Sequence, residues 1–415
     1  MRWLSAALPA LRHRNLRLFF GGQCVSLVGT WMQSVAQGWL VYRLTGSTAM
    51  LGLLGFLAQV PVFLFGILAG SLADRYPRRR IVLITQVNAV IQATALAALT
   101  LTGVVQPWML LVLVCLLGLS NAFEIPARQA LLGEIAGEDM PNALALNSSV
   151  VNGARAVGPA LAGWAVAALG EGVCFAVNAV SFAGTLWALA VMDLPPARPH
   201  LGSRRGHLLE GLAYAGRTTH VRALLLLLGL TSFFGLPYLS LLPAFAKDVL
   251  GGDARLLGTM QACAGVGALA AGVSLVLRRG LRGLGRRVAF GASALGLGLT
   301  GLALSRSPAL SCAALVLVGF GFLTQAAGTM TLLQGLAPAE MRGRVMGLFS
   351  TLFIGTTPFG SLVGGLAAGR YGVGRVLLAG AAVVLAASAG FHLFLPRLRR
   401  TVLAQHPTLF PPQVP

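Results

Sequence analysis

An all-α membrane protein, with twelve transmembrane helices in two pseudo-symmetric six-helix bundles, is the fold class this sequence predicts. Three observations carry that expectation: the apolar bulk of the chain, the side on which its arginines fall, and a repeat at constant offset. Of 415 residues, 56% are hydrophobic and only 10% charged, with mean hydropathy +0.79. A water-soluble chain with so few charges could not cover so large an apolar core. Apolar runs of 18 or more residues read as spanning helices. Twelve are predicted, at about 17–42, 49–73, 81–103, 107–133, 142–168, 172–193, 221–247, 254–277, 286–305, 308–334, 342–369 and 373–395.

The net charge of +20 is explained by placement. Counting loops from an inside N-terminus, 24 of the 31 basic residues fall on one side. Arg43, Lys247, Arg255, Arg306, Arg370 and Arg375 fall on the other, and Arg155 lies within a helix. That asymmetry is the positive-inside rule, which puts both termini of a multi-pass protein in the cytoplasm. Basic loops at that face meet anionic lipid head groups, so nucleic acid is not an expected partner. The segment 1–16 reads as a cytoplasmic N-terminal segment without a cleavage site. Residues 17–193 form the first bundle, 194–220 a Pro- and Arg-rich cytoplasmic linker, 221–395 the second bundle, and 396–415 a cytoplasmic tail. The five cysteines all fall inside predicted helices and read as apolar filler. The six histidines lack metal-ligand spacing, so no metal is expected. No nucleophile motif or nucleotide loop marks an enzyme.

Shifting the first half by 202 residues superposes it on the second. Gly70 meets Gly272, Arg80 meets Arg282, Gly133 meets Gly335 and Glu138 meets Glu340. Gly153, Gly158, Gly163 and Gly170 meet Gly355, Gly360, Gly365 and Gly372. Such a repeat argues for duplicated halves related by an axis along the membrane normal, with any site at the midplane.

The loop after the second helix reads Gly70-Ser-Leu-Ala-Asp74-Arg75-Tyr-Pro-Arg78-Arg79-Arg80. It resembles the first cytoplasmic signature of the major facilitator superfamily, Gly-x-Leu-Ala-Asp-Arg-x-Gly-Arg-Lys/Arg, with Pro77 where glycine is usual. The stretch Gly153-Ala-Arg155-Ala-Val-Gly158-Pro159-Ala-Leu-Ala-Gly163 resembles the superfamily's antiporter signature, with Ala162 in place of one glycine. Three further stretches resemble the enterobactin-exporter-like branch, which also contains drug efflux proteins. They are Arg14-Asn-Leu-Arg17-Leu-Phe, Trp39-Leu-Val-Tyr42-Arg43-Leu-Thr-Gly46-Ser47 and Pro126-Ala-Arg128-Gln129-Ala-Leu. The resemblance implies a monomeric twelve-helix exporter of a small molecule, working by alternating access on a proton gradient and needing no bound cofactor. An importer or facilitator of the same fold, or a membrane sensor that does not transport, are the alternatives.

Within that frame, Gly70, Asp74, Arg75, Arg78 and Arg79 are expected to latch the cytoplasmic side. Their expected counterpart is the start of the eleventh helix, at Glu340, Arg342 and Arg344. A purely topological role for the arginines is the blander reading. Glu124, Arg128 and Arg155 are candidates for proton coupling. An ionisable group in a membrane helix costs roughly 2.5–3.5 kcal/mol on insertion scales and faces a cavity or a partner. Arg128 follows Glu124 by four residues, hence on one face. Arg155 sits near mid-membrane, and Glu124 could approach either arginine; a fixed ion pair is the alternative to coupling. The helices that line the superfamily's cavity offer Gln33, Gln37, Asn121, Phe233, Phe234, Tyr238, Thr324, Gln325 and Thr329. Amides and aromatics of this kind suit a bulky amphipathic ligand, although each alone also serves helix-to-helix hydrogen bonding.

Overall fold

A computed structural model describes residues 12–192, 207–277 and 280–405, and every regular element among them is helical. Ten stretches are long and apolar enough to cross a membrane. One of these, Pro107–Leu169, holds two helices, and the 32-residue helix Arg14–Thr45 adds to them. Twelve long helices result. They are α1 (Arg14–Thr45), α2 (Thr48–Arg75), α3 (Arg78–Leu101), α4 (Pro107–Ala136), α5 (Met140–Leu169), α6 (Glu171–Val191), α7 (Thr219–Val249), α8 (Ala254–Val276), α9 (Leu284–Leu304), α10 (Pro308–Leu336), α11 (Ala339–Tyr371) and α12 (Val373–Gln405). Helices satisfy their own backbone groups, which hydrocarbon cannot do.

Local chemistry sets the ends. α1 stops at Gly46, whose φ of 60° is left-handed, and the Ser47 hydroxyl accepts from the Met50 amide to start α2. Gly170 and Gly372, 202 residues apart, turn α5 into α6 and α11 into α12 with φ of 84° and 86°. Only glycine takes that conformation without strain, so the repeat marks two copies of one turn.

Two helical details depart from the sequence expectation. α12 continues to Gln405, through Pro396, instead of stopping near 395. A helix, His207–Arg217, occupies part of the segment expected to be only a linker. At 11 residues it is too short to span, so a search for membrane-length apolar runs passes over it. α7 contains two π-turns, Thr231–Gly235 and Phe245–Val249. Departures from the regular helix of this kind mark functional segments more often than chance. The expected tail after 405, and Arg198, Arg204, Arg205, Arg278 and Arg279, lie outside the described residues.

The chain divides into two compact units. The first holds α1 to α6 together with Ala246–Ala262. In it, α1 packs on α5 and α6, α2 on α4, and α3 on α4 and α6. Leu16, Phe19, Phe20, Val82, Leu131 and Leu189 form an apolar cluster where these helices converge. In the second unit, α7 packs on α11 and α12, and α9 on α10 and α12. The pairings repeat: α7, α9, α11 and α12 stand to one another as α1, α3, α5 and α6 do.

The repeat extends to single contacts. A Cβ on Gly158 would meet Trp31 Cβ at 2.6 Å and the Val28 carbonyl at 3.0 Å. A Cβ on Gly360 would meet the Phe233 carbonyl at 2.2 Å. Gly360 lies 202 residues beyond Gly158, and Phe233 lies 202 beyond Trp31. Both crossings therefore come from one ancestral contact, in which a missing side chain lets two backbones touch.

Gly153 differs, since a Cβ there meets nothing within 4 Å. Gly360→Val is expected to cost about 1–3 kcal/mol by overpacking. Gly153→Ala is expected to leave stability unchanged or raise it slightly, because alanine favours helix. Thermal unfolding of the purified variants in detergent reads both.

Candidate functional site

The most heavily buried acid of α4 is Glu124, 3% exposed. Its Oε1 accepts from Arg128 at 3.0 Å, one turn along the same helix, and from Gln86 Nε2 of α3 at 2.8 Å. Three groups thus form a charge-assisted cluster inside the first unit, the arrangement that makes a buried carboxylate tolerable. A cavity of about 10 Å³, the size of one water, touches Gln86 and Arg128 and is also lined by Gln23 and Thr185. Gln23 donates to Asn147 at 2.9 Å. Its own Oε1 and that of Gln86 are buried without a hydrogen-bond partner among the described residues. A water in the cavity could donate to both. Sequence reasoning missed Gln23, Gln86 and Asn147; amides in otherwise apolar runs were the available signal.

The Arg155 guanidinium lies over the Trp31 ring, 5.3 Å from the centroid. Cation–π contact of this kind suits a partly buried guanidinium. Beyond Arg155 in α5, Pro159 and Gly163 reach the start of α8. A Cβ on Gly163 would meet the Ala254 carbonyl at 2.7 Å and Gly258 Cα at 2.8 Å. A Cβ on Gly258 would meet the Pro159 carbonyl at 2.4 Å. Nearby in the same unit, the Tyr42 hydroxyl donates to the Asp248 carboxylate, and Lys247 Nζ lies 5.6 Å from the Tyr42 ring centroid. Gly158, Pro159 and Gly163 thus lie at backbone crossings, on α1 for the first and α8 for the other two.

Gln33 is 1% exposed and bonded within the bundle. It donates to Gln92 at 3.1 Å and accepts from Asn178 at 2.8 Å, which in turn accepts from Ser181 at 2.9 Å. That network ties α1, α3 and α6 together. Gln37 is buried with its Nε2 without a partner among the described residues, and Asn121 is half-buried. In the second unit Thr231 donates to Gln325 Oε1 at 3.2 Å. Gln325 Nε2, Thr324 Oγ1 and Thr329 Oγ1 are buried without partners among the described residues. Phe233, Phe234 and Tyr238 line another space, bounded by α11 and α12.

At the turn between α2 and α3, Arg78 pairs with Glu134 of α4, and Arg79 donates to the Ala190 carbonyl of α6 at 2.8 Å. Arg75 is exposed, and a Cβ on Gly70 would meet nothing within 4 Å. The side chain of Asp74 lies outside the described residues. Glu340 and Arg342 are exposed at the start of α11. Arg344 pairs with Glu210 of the short helix His207–Arg217 at 2.6 Å. No group of three or more His, Cys, Asp or Glu residues that could hold a metal occurs among the described residues.

A family model for transmembrane secretion effectors matches residues 5–414. The staphyloferrin A transporter of Staphylococcus aureus is 26% identical over 277 residues, covering 65% of this chain and 68% of that protein. The multidrug efflux pump Tap of Mycolicibacterium fortuitum is 26% identical over 393 residues, covering 91% and 95%. Among solved structures, a bacterial homologue of the human lysosomal transporter Spinster superposes with a TM-score of 0.70 at 15% identity, covering 94% and 97%.

The Glu124 cluster makes a directional prediction. Glu124→Leu alone strands Arg128 and should cost about 3–5 kcal/mol, whereas the double variant Glu124→Leu, Arg128→Leu should recover most of that loss. Thermal midpoints of the single and double variants in detergent check it.

Proposed function

Because the chain belongs to the transmembrane secretion effector family of the major facilitator superfamily, we propose that it exports an amphipathic small molecule by alternating access, with proton antiport through Glu124. That it is a multi-pass efflux transporter, not an enzyme, follows from the family and its relatives. The finer reading rests on one observation above all. A carboxylate 3% exposed is held in a membrane helix, among the described residues, by one arginine and one amide.

A buried charge is tolerable only while paired; a carboxyl that loses its donors in hydrocarbon takes up a proton instead. Glu124 and Arg128 share a helix, but Gln86 belongs to another. A shift of α4 against α3 would therefore remove one donor and favour the protonated carboxyl, whereas a substrate that offers a hydrogen-bond donor or a positive charge to the carboxylate would drive that proton off. Either event moves a proton on or off Glu124. The cavity of one-water size beside Arg128 and Gln86 supplies a place for the transferred proton's carrier.

Alternating access is supported by the segment Ala246–Ala262. It belongs to the second sequence half but packs in the first unit, through the Gly163–Gly258 crossing and the Tyr42–Asp248 bond. On the topology read from the basic loops, these contacts are placed toward the outer face. Asp74 and the start of α11 are proposed to close the inner face in the opposite state. The site is proposed to work in one monomer in the bacterial cell membrane, with both termini cytoplasmic. A siderophore-like compound or a drug fits the cargo of the named relatives, staphyloferrin A in one and several drugs in the other.

Inside-out vesicles with an imposed proton gradient and a pH-sensitive dye test this reading. Siderophores, macrolides and lipophilic cations are added to wild type and to Glu124→Gln. Substrate-evoked proton leak in the wild type that is lost in the variant is the expected result. Substrate-evoked leak of equal size in both would refute coupling at Glu124.

A further inference from the structure

A cavity of about 390 Å³ lies in the second unit, separate from the Glu124 cluster. Its walls are almost wholly apolar, from Phe234 and Pro237 of α7, Val363 of α11 and Val383 of α12. Its shape follows from the backbone. The π-turn Thr231–Gly235 widens α7, while Gly360, Gly364 and Gly380 bring α11 and α12 against that turn. A Cβ on Gly380 would meet the Phe234 carbonyl at 2.5 Å. Phe234 and Val363, which line it, are both exposed.

Two polar residues stand at one end, Tyr371 and Arg375, on either side of the Gly372 turn. Both are exposed, and Arg375 makes no ion pair among the described residues. The only acids of the second sequence half are Glu210, Asp248, Asp253 and Glu340, none of them on α12 or the end of α11. From Gly360 to Tyr371 the wall of α11 runs about 16 Å at 1.5 Å per residue. One leaflet of the hydrocarbon core is about 15 Å deep. Tyrosine and arginine at a helix end sit at head-group depth.

We propose that this cavity holds one acyl chain of a phospholipid with a net-anionic head group, its phosphate held by Arg375 and Tyr371. The apolar depth takes the chain, and the uncompensated guanidinium selects the charge. On the topology read from the basic loops, the lipid comes from the outer leaflet. The chain packs against the π-turn of α7, between α11 and α12.

Native mass spectrometry of the purified full chain tests this, with phosphatidylglycerol or phosphatidylcholine of matched chains added to the detergent. The wild type should retain one phosphatidylglycerol at roughly fivefold lower lipid concentration than phosphatidylcholine, the value of about one basic residue at a membrane surface. Arg375→Gln should bring the two lipids to parity. Ala379→Trp, at an exposed position lining the cavity, should abolish retention of both. Leu393→Trp, 79% exposed on the same helix but outside the cavity, should behave as wild type. Equal retention of both lipids by the wild type overturns the proposal. So does unaltered retention by Ala379→Trp, or a wild type that carries no lipid.

Discussion

Two helices in hydrocarbon gain nothing by hiding leucine from one another, because lipid is as apolar as leucine. What holds them is contact itself, and contact is closest where a side chain is missing. The arrangement of this chain depends on that constraint. At Gly158 and Gly360 a backbone lies where any Cβ would collide, and the two sites are equivalent by the 202-residue repeat. At Gly163 and Gly258 two glycines face each other, so that α8 begins against α5. Crossings of this sort have little side-chain interlock. They hold by shape, and they can part without breaking a network of bonds.

Against this apolar background the few buried polar groups carry disproportionate weight. The network Gln33–Gln92–Asn178–Ser181 is bonded from helix to helix and fixes α1, α3 and α6 as one body. The Glu124 cluster is of another kind, because it contains net charges and lies beside a cavity. An amide network loses some hydrogen bonding if its helices shift. A carboxylate that loses its partners must change protonation, which makes such a cluster suited to convert helix movement into proton movement.

Much of the architecture was legible in the sequence because its causes are local. Hydrophobic length marked the helices, and predicted and observed starts agree within about three residues, as at 107 for α4 and 308 for α10. Glycine spacing marked the repeat. Hydrophobic length misplaced one end, since the apolar run stops near 395 while α12 continues through Pro396 to Gln405. The i, i+4 spacing of Glu124 and Arg128 placed them on one face, and they are paired. The rest of the cluster was not legible, because Gln86 reaches Glu124 across 38 residues of chain and no local pattern announces it. Spacing equally could not show that Arg155 would turn to Trp31, or that Phe233, Phe234 and Tyr238 would face α11 and α12. Those outcomes depend on how helices rotate about their axes, which packing decides.

The central claim is that ligand binding and protonation of Glu124 exclude one another. Proton release on binding measures this directly, with purified protein in weakly buffered detergent, a pH indicator and a ligand established by equilibrium dialysis. The account predicts release approaching one proton per bound ligand in the wild type and none in Glu124→Gln, with ligand still bound. Equal release by both proteins would contradict it.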